Sequence, residues 1–385
     1  MLPAGIKEIT IDWLNSALHT NGFLKQGTNI VSAETHPMGV GEGFQSDMAR
    51  ISVEYNRDDA SLPLTMVAKL PTTYEAANYA AMLFNTYERE IRFYKELAHR
   101  SPIRTPKLIY GNFDAEAKRY VLILQDCANY AQIDQLKGLT ETQLRQTIVK
   151  IADFHAYWWN SRELVKISWM PGPRSQAAFA LVGFYRGCWD MAVNVPEFLN
   201  TLPPGGKEGG LQIYEYFQWM VEDAAPDDNL TITHFDFRGD NLFFDESNRQ
   251  DPVVVFDWQV ASIYRGPVDV AYLISGSVAP ELRRRAEREM LNMYYKRLQS
   301  RGVRSYTFED CLYDYLGGIL VYAYIPVLAY SRLDMSSERG KELAKIATQR
   351  HFSAIVDHDA TRYLGRTRKE IEAELAEFSR EWQNF

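Results

Sequence analysis

The sequence predicts an α+β protein with two lobes: a small β-rich N-terminal lobe with one long helix, residues 1–125, and a large, mainly helical C-terminal lobe, residues 126–385. Two observations predict this organisation. Short runs of strand-forming residues, separated by polar turns, dominate residues 38–124 apart from one helical stretch. Beyond them, apolar residues recur mainly at helical spacing. An active site between two such lobes is the natural expectation.

The composition and charge exclude several classes of protein. With 46% hydrophobic residues among 385, the chain can bury a sizeable core and is not a disordered sequence. Its net charge of −8, from 42 Lys and Arg against 50 Asp and Glu, argues against a nucleic-acid-binding protein. The three cysteines are far apart and indicate neither a disulfide framework nor a zinc site, as is usual in the cytoplasm. We therefore expect a cytoplasmic protein, and the sequence leaves its oligomeric state open.

One apolar stretch bears on membrane association. From Tyr315 to Ser331 the chain has no charged residue, but this stretch is slightly short for a bilayer span and is interrupted by Pro326. We interpret it as a buried helix, with a membrane-spanning helix as the alternative. No membrane partner is expected.

The N-terminal lobe is predicted to contain two pairs of strands and one helix. The helix, Ala76–His99, places apolar residues and Glu90 on one face at i, i+3, i+4 spacing and ends before Pro102. A polar turn, Asn56–Asp59, indicates that the two strands beside it are antiparallel neighbours. The predicted strands lie near residues 48–55, 64–70, 107–112 and 119–124.

The C-terminal lobe is predicted to be helical apart from one small hairpin. A helix is expected over Thr140–Trp159, and a loop over 203–210 that ends at Gly209-Gly210 before the next helix. The hairpin pairs the β-like runs 242–244 and 253–256. From Val268 onward the pattern is helical and ends in a charged amphipathic tail.

The most informative segment, THFDFRGDN, contains His234, Asp236 and Asn241 in the pattern H-x-D-x-x-x-x-N, and the following hairpin ends on Asp257. A carboxylate on a rigid loop can accept a proton from a hydroxyl that attacks phosphorus. An amide oxygen and a second carboxylate can together hold Mg²⁺, which prefers hard oxygen ligands. The pattern therefore indicates phosphoryl transfer. We interpret His234 as a structural brace of the loop rather than as a catalytic acid.

Two upstream segments have the residues that a phosphate site needs. Lys69 lies within an apolar β-run, and Glu90 on the next helix can turn inward to pair with it. Glu88 is the competing partner, but its i+4 neighbour Arg92 indicates a solvent-facing position. The segment GVGEGFQSD supplies glycines that let backbone N–H groups approach phosphate closely. These glycines are Gly39, Gly41 and Gly43.

Together these motifs resemble the protein-kinase-like small-molecule phosphotransferases: aminoglycoside phosphotransferases, choline kinases and, most closely, the ecdysteroid kinase-like group. The resemblance covers roughly residues 38–273, in the order of that family. It is carried by GEGFQSDMARISVEY, VAKLP, EIRFYKEL, YVLILQDC, THFDFRGDN, VVVFDWQ and GPVDVAYLI.

The resemblance implies a protein-kinase-like fold, ATP and Mg²⁺ as cofactors, and a nucleotide-binding N-terminal lobe beside a catalytic, substrate-binding C-terminal lobe. It implies that Asp236 is the catalytic base and that Asn241 and Asp257 are the metal ligands. It also implies a brace of the catalytic loop at Asp269. The implied nucleotide-binding residues are Lys69 with Glu90, Gly41, Gly43 and Ser46 at the phosphates, and the backbone of Gln125–Cys127 at adenine.

The sequence departs from the family pattern at three positions. Arg238, two residues after the base, is either a catalytic contact to the transferred phosphate or an exposed salt-bridge residue. Gln125 stands where an acidic residue is common, so that the choice between ATP and GTP stays open. Phe235 replaces a glycine and could crowd the catalytic loop.

The prediction is an ATP- and Mg²⁺-dependent kinase that phosphorylates a hydroxyl of a small molecule. No recognisable activation loop follows Asp257, and the short interval to Gly266 favours small acceptors over protein chains, with protein phosphorylation as a weaker option. A catalytically weak, kinase-like ligand-binding module is the alternative. The acceptor stays open, because the aromatic residues of the helical lobe suit a hydrophobic alcohol or a quaternary amine, whereas its acidic residues suit a polycation.

Overall fold

The computed structural model describes residues 1–38, 46–222, 225–332 and 337–383. The chain forms two compact units. The first unit comprises Met1–Ala131 and Phe243–Val260, and the second comprises Gln132–Leu242 and Ala261–Phe385. The first unit thus extends six residues beyond the lobe limit at residue 125 that we predicted, and it also contains the later hairpin.

The first unit is built on a five-stranded antiparallel sheet with the order β1-β2-β3-β5-β4. Its buried face includes Ile51, Met66, Ala68 and Val121, which pack against the N-terminal helix α1 (Ile11–Thr20). The two predicted strand pairs are confirmed, whereas the sequence pattern missed the edge strand β1. The strands are β1 (Ile30–Met38), β2 (Ser46–Tyr55), β3 (Thr65–Pro71), β4 (Leu108–Asp114) and β5 (Arg119–Gln125).

The prediction of one continuous helix over Ala76–His99 is wrong, because the helix is interrupted. The chain forms α2 (Glu75–Leu83), breaks, and forms α3 (Thr86–Arg92), which runs on into a π-helical turn at Phe93–Leu97. The break lies at Asn85, whose φ of 54° is left-handed. Asn adopts this conformation more readily than most residues. The helical spacing of apolar residues therefore continues past Asn85, although the helix itself is interrupted there.

Five further strands form two small sheets. Three of them, in the order β6-β8-β9, include the predicted hairpin, and the other two, β7 and β10, pair antiparallel in the second unit. These strands are β6 (Ala131–Gln132), β7 (Leu230–Thr233), β8 (Leu242–Phe244), β9 (Val253–Val255) and β10 (Ser262–Arg265).

The second unit is mainly helical, as predicted. Its first helix begins with a capping box, in which Thr140 accepts from the backbone N–H of Gln143. Every residue of α8 is buried, so this helix is the centre of the unit. The helices are α4 (Glu141–Trp158), α5 (Gln176–Ala192), α6 (Pro196–Thr201), α7 (Gly206–Glu222), α8 (Pro267–Ser277), α9 (Pro280–Ser300), α10 (Phe308–Val321), α11 (Tyr324–Arg332), α12 (Glu338–Asp357) and α13 (Glu372–Gln383).

The apolar stretch around Tyr315–Ser331 is divided between α10 and α11. The chain turns at Tyr322–Ala323, and Pro326 lies within the first turn of α11, where a missing N–H costs little. In the described part of the chain, Phe308–Ser331 is the one segment long and apolar enough to cross a membrane. Its most apolar window is 67% buried inside the fold, which is typical of core helices.

The Gly209-Gly210 pair does not end a loop, as we had predicted, but lies inside α7, which begins at Gly206. A Cβ atom on Gly210 would lie 2.0 Å from the ring of Trp189 on α5. Trp189 is almost fully buried and cannot move aside. The glycine is therefore required by the close approach of two helices, a tertiary contact that the local sequence does not reveal.

We expect Gly210→Ala to destabilise the protein by about 3 kcal/mol, because the added methyl group overlaps a buried indole ring. The measurement is the free energy of unfolding from denaturant titration. Gly183→Ala is the matched control, since Gly183 lies in α5 and a Cβ there meets nothing within 4 Å. The control should gain up to about 1 kcal/mol from helix propensity. Equal stability of the two variants would contradict this account of Gly210.

Candidate active site

In the first unit, the structure brings together three of the predicted site residues: Lys69 on β3, Glu90 on α3, and Asp257, which follows β9. The Lys69 Nζ atom lies 2.8 and 2.7 Å from the two Glu90 carboxylate oxygens and 3.0 Å from Asp257 Oδ1. The Lys69 side chain is only 11% exposed, so it does not extend to solvent. Glu90 and not Glu88 is the partner; Glu88 pairs with Arg92 at 3.3 Å.

The alternation of β3 explains why Lys69 meets this helix. Met66, Ala68 and Leu70 point into the hydrophobic core of the sheet, so the residues between them face the opposite side. Lys69 is on that opposite face, where it meets Glu90. The pairing therefore follows from strand periodicity together with the helical position of Glu90.

Asp257 is fixed by its neighbours. Its φ of 65° is left-handed, which is uncommon for a residue other than glycine. The next residue, Trp258, stacks on Phe93 with 3.9 Å between ring centroids, and its backbone N–H donates to Glu90. Glu90 thus accepts hydrogen bonds from both Lys69 and the segment that carries Asp257.

The electrostatics of this cluster favour an added cation. Burial by itself lowers the pKa of Lys69, but Asp257 and Glu90 outweigh burial, and the net shift is upward. Burial raises the pKa of Glu90, the Asp257 carboxylate adds to the rise, and the Lys69 ammonium group offsets only part of it. With both carboxylates ionised, the cluster has a net charge of −1 in a largely buried setting. A divalent cation at Asp257 would reverse this deficit.

The predicted adenine-binding segment, Gln125–Cys127, follows β5 in the same unit. The Gln125 N–H donates to the Lys107 carbonyl at 2.9 Å, and the Cys127 carbonyl accepts from the Tyr130 N–H at 2.9 Å. Asp126 pairs with Arg50 of β2 at 2.7 Å, a brace that the motif reading missed. Burial raises the pKa of the Cys127 thiol to about 12, so this cysteine is not a reactive nucleophile.

The predicted phosphate-covering residues are only partly described. Ser46 is the first residue of β2 and lies opposite Pro71 of β3. Gly41 and Gly43 lie outside the described residues, as does Gly39.

In the second unit, the structure assembles the residues of the H-x-D-x-x-x-x-N motif. The Asn241 side-chain N–H₂ group donates to Asp236 Oδ2 at 2.9 Å and to the Asp236 carbonyl at 2.8 Å. Arg238 contacts Asp236 Oδ1 at 3.3 Å and Asp240 at 3.1 Å. Arg238 therefore forms ion pairs with the predicted base and with Asp240. The amide nitrogen of Asn241 is occupied by Asp236. The Oδ1 atom of Asn241 is therefore the candidate metal ligand.

Asp269 on α8 fixes the backbone of this loop through hydrogen bonds. Its carboxylate accepts from the His234 N–H at 2.7 Å and from the Phe235 N–H at 2.9 Å. His155 on α4 lies 3.2 Å from the same carboxylate, and the Tyr294 hydroxyl on α9 lies 2.8 Å from the other ring nitrogen of His155. All these partners are buried, so three helices converge on the two residues before Asp236.

His234 and Phe235 both serve the geometry of the loop. The fully buried His234 ring accepts from the Asp236 N–H at 3.3 Å, which agrees with its interpretation as a brace. Phe235 has a left-handed φ of 63°, a conformation that suits the glycine of the family pattern. Its ring packs near Tyr264 and Tyr322, each with 5.9 Å between centroids, and its carbonyl accepts from the Tyr322 hydroxyl at 3.0 Å. These contacts compensate the strain that a phenylalanine introduces here.

The sequence analysis did not identify two aromatic residues beside the motifs, Phe243 and Phe256, as candidate site residues. Phe243 and Phe256 stack with 4.3 Å between their centroids, two residues after Asn241 and one before Asp257. Both are only partly buried, so their rings present an apolar surface in the first unit. Their closeness in sequence to the two predicted ligands is the signal that could have identified them.

Comparison with known sequences identifies the family. The sequence model of the ecdysteroid kinase-like family matches residues 40–166 and 196–304. No curated protein matches the chain.

Solved structures have the same fold at low sequence identity. A candidate aminoglycoside phosphotransferase from Ralstonia eutropha has a TM-score of 0.55 and 15% identity, over 92% of this chain and 98% of its own. A choline/ethanolamine kinase family protein from Mesorhizobium loti has a TM-score of 0.52 and 13% identity, over 92% and 97%. The GDP complex of an aminoglycoside 2'-phosphotransferase-IIIa mutant has a TM-score of 0.50 and 14% identity, over 92% and 99%. The chain therefore has the two-lobed α+β fold of the protein-kinase-like small-molecule kinases and belongs to the ecdysteroid kinase-like family.

Proposed function

We propose that the protein is an ATP- and Mg²⁺-dependent phosphotransferase that moves the γ-phosphate to a hydroxyl group of a small molecule, with Asp236 as the base. Kinase-like phosphotransfer is the activity that the family and the fold support. The observation that carries the finer proposal is the buried cluster in which Lys69 contacts both Glu90 and Asp257. A protein with only a structural use for this fold has no need of a buried, net negative cluster, since burying charge costs several kcal/mol.

The nucleotide is proposed to bind to residues of the first unit. Lys69 contacts the α- and β-phosphates while Glu90 holds its direction. The backbone of Gln125–Cys127 binds the adenine edge, and the stacked Phe243 and Phe256 rings offer the base an apolar surface. Ser46, with Gly41 and Gly43, is proposed to approach the phosphates. ATP is the proposed donor, and GTP is the alternative, since one similar structure is a GDP complex.

The side chains fit Mg²⁺. Asp257 supplies a carboxylate in a cluster with a deficit of positive charge, and Asn241 supplies an amide oxygen. A Mg²⁺ ion held by these residues would offset charge on the phosphate oxygens during transfer.

Asp236 is proposed to accept the proton of the acceptor hydroxyl. As the hydroxyl oxygen forms its bond to the γ-phosphorus, the bond from that phosphorus to the β,γ-bridging oxygen breaks and nucleoside diphosphate leaves. Asn241 and Arg238 orient the Asp236 carboxylate through the contacts at 2.9 and 3.3 Å. Arg238 is also a proposed contact to the transferred phosphate, because a guanidinium can bind phosphate without losing its charge.

A small acceptor is favoured over a protein chain. Strand β10 occupies the second half of the short interval between Asp257 and Gly266, and a 3-10 turn occupies Trp258–Val260, so this segment is not a long activation loop. Tyr264, Tyr272, Tyr322 and Tyr324 gather around Phe235 in the second unit. This aromatic group is the proposed wall of the acceptor site.

A catalytically weak ligand-binding module is the second candidate. The observation in its favour is that basic side chains contact both reactive carboxylates, with Arg238 at Asp236 and Lys69 at Asp257. A library of hydroxyl compounds, screened for ATP consumption with mass spectrometry of the products, separates the two candidates. A phosphorylated product supports the kinase, whereas nucleotide binding without any product supports the binding module.

Asp236→Asn is expected to lower kcat by about 10²–10⁴-fold, because the amide cannot take the hydroxyl proton. The affinity for Mg-ATP should change little, which calorimetry can measure alongside turnover of an acceptor from the screen. Asp228→Asn is the control, since the Asp228 side chain is 71% exposed and pairs with Arg265 instead. Undiminished turnover of Asp236→Asn would exclude Asp236 as the base.

Asp257→Ala is expected to weaken the binding of Mg-ATP by at least about 100-fold, because the metal loses a charged ligand. Binding of ATP measured in EDTA should change much less. Asp58→Ala removes an exposed carboxylate from the turn before β3 and serves as the control. Retention of Mg-ATP affinity in Asp257→Ala would contradict the proposed metal site.

A further inference from the structure

The π-helical turn that follows α3 has an effect on the lysine cluster. Residues Phe93–Leu97 depart from α-helical geometry directly after the helix that carries Glu90. Turns of this kind are rare and occur often at functional sites. Phe93 at the start of the turn stacks on Trp258, which fixes the turn beside the segment of Asp257.

The second residue of this turn, Tyr94, has an unusual hydroxyl group. Tyr94 is 3% exposed, and among the described residues its hydroxyl has no hydrogen-bond partner. Burying an unpartnered hydroxyl costs about 1–3 kcal/mol. A phenylalanine would fill the same space without this cost, so the stability of the free protein does not explain the tyrosine.

The charged neighbours of Tyr94 indicate where its hydroxyl could act. Burial raises the pKa of Tyr94 well above its ordinary value, and the carboxylates of Glu90 and Asp257 add to the shift. The hydroxyl therefore stays protonated and is a hydrogen-bond donor. Tyr94 lies about one helical turn after Glu90, in the π-helical turn that continues α3.

Glu90 can lose one of its hydrogen bonds when Lys69 binds phosphate, and it would then keep only one bond from Lys69 and the bond from the Trp258 N–H. The ammonium group of Lys69 has three hydrogens, and it contacts three carboxylate oxygens: both of Glu90 and one of Asp257. A phosphate oxygen can take one of these hydrogens only if a carboxylate oxygen gives it up. Glu90 is 4% exposed at its side chain, so bulk water cannot readily replace that bond.

We propose that Tyr94 is a positioning residue whose hydroxyl donates to Glu90 when Lys69 turns one of its hydrogens toward the nucleotide phosphate. The exchange keeps Glu90 ionised and hydrogen-bonded, so that Glu90 continues to direct Lys69 in the bound state. This inference rests on the proposed function, because it requires a nucleotide at Lys69. It explains why the hydroxyl has no partner among the described residues of the free protein.

Tyr94→Phe separates this role from a structural one, because the two predict opposite effects. The variant should unfold at the same temperature as the wild type or higher, since it removes an unpartnered polar group. Its affinity for Mg²⁺ with the non-hydrolysable analogue AMP-PNP should fall about tenfold, the loss expected for one hydrogen bond to a charged group. Calorimetry measures the affinity, and thermal melts with and without ligand measure the stability.

Tyr87→Phe is the matched control on the same helix. The Tyr87 hydroxyl accepts from the backbone N–H of Thr72 at 3.0 Å, so its removal leaves that buried group without this bond. The control should melt at a lower temperature and bind Mg²⁺ with AMP-PNP as the wild type does.

The outcomes distinguish the two proposals. If the wild type binds the nucleotide and Tyr94→Phe binds it equally well, the role of Tyr94 is wrong and the phosphotransferase proposal stands. If Tyr94→Phe melts at a lower temperature, its hydroxyl is already bonded in the free protein, which also overturns the inference. If the wild type does not bind the nucleotide, the proposed function fails and this inference fails with it.

Discussion

The buried ammonium group of Lys69 is the interaction on which the first unit depends. It joins three elements that are far apart in the sequence: strand β3, helix α3 and the segment after β9. Removing these charges from water costs several kcal/mol per ion, and one cation between two carboxylates does not recover all of it. A bound divalent cation, as proposed above, would offset the excess of negative charge that remains.

Backbone strain occurs at or beside both carboxylates of the proposed active site, Asp236 and Asp257. Phe235 precedes Asp236 with a φ of 63°, and Asp257 itself has a φ of 65°. Conformations of this kind cost of order 1–3 kcal/mol outside glycine and persist only where neighbours enforce them. Asp269 enforces the first through two backbone N–H groups, and the Trp258–Phe93 stack supports the second. Each carboxylate is thus oriented by contacts within its own unit.

The sequence allowed the fold class and the composition of each cluster to be predicted, because both depend on periodicity and on short motifs. The alternation of β3 places Lys69 opposite the core, and helical spacing turns Glu90 rather than Glu88 toward it. The break at Asn85, the π-helical turn and the position of Gly210 could not be predicted in this way. They are set by tertiary contacts, such as the approach of α7 to Trp189, that local patterns do not encode.

The departure from the family pattern at Phe235 is also best understood as packing. A glycine in place of Phe235 would adopt the left-handed backbone without strain, but it would lose the ring contacts to Tyr264 and Tyr322. Phenylalanine therefore costs backbone strain at this position, but its ring connects the loop that carries Asp236 to the aromatic residues around it. Because Tyr322 donates to the Phe235 carbonyl, a shift of these aromatic residues would be transmitted to the residue before Asp236. In the proposed function, an acceptor bound at this aromatic group would therefore act on the orientation of Asp236, the proposed base.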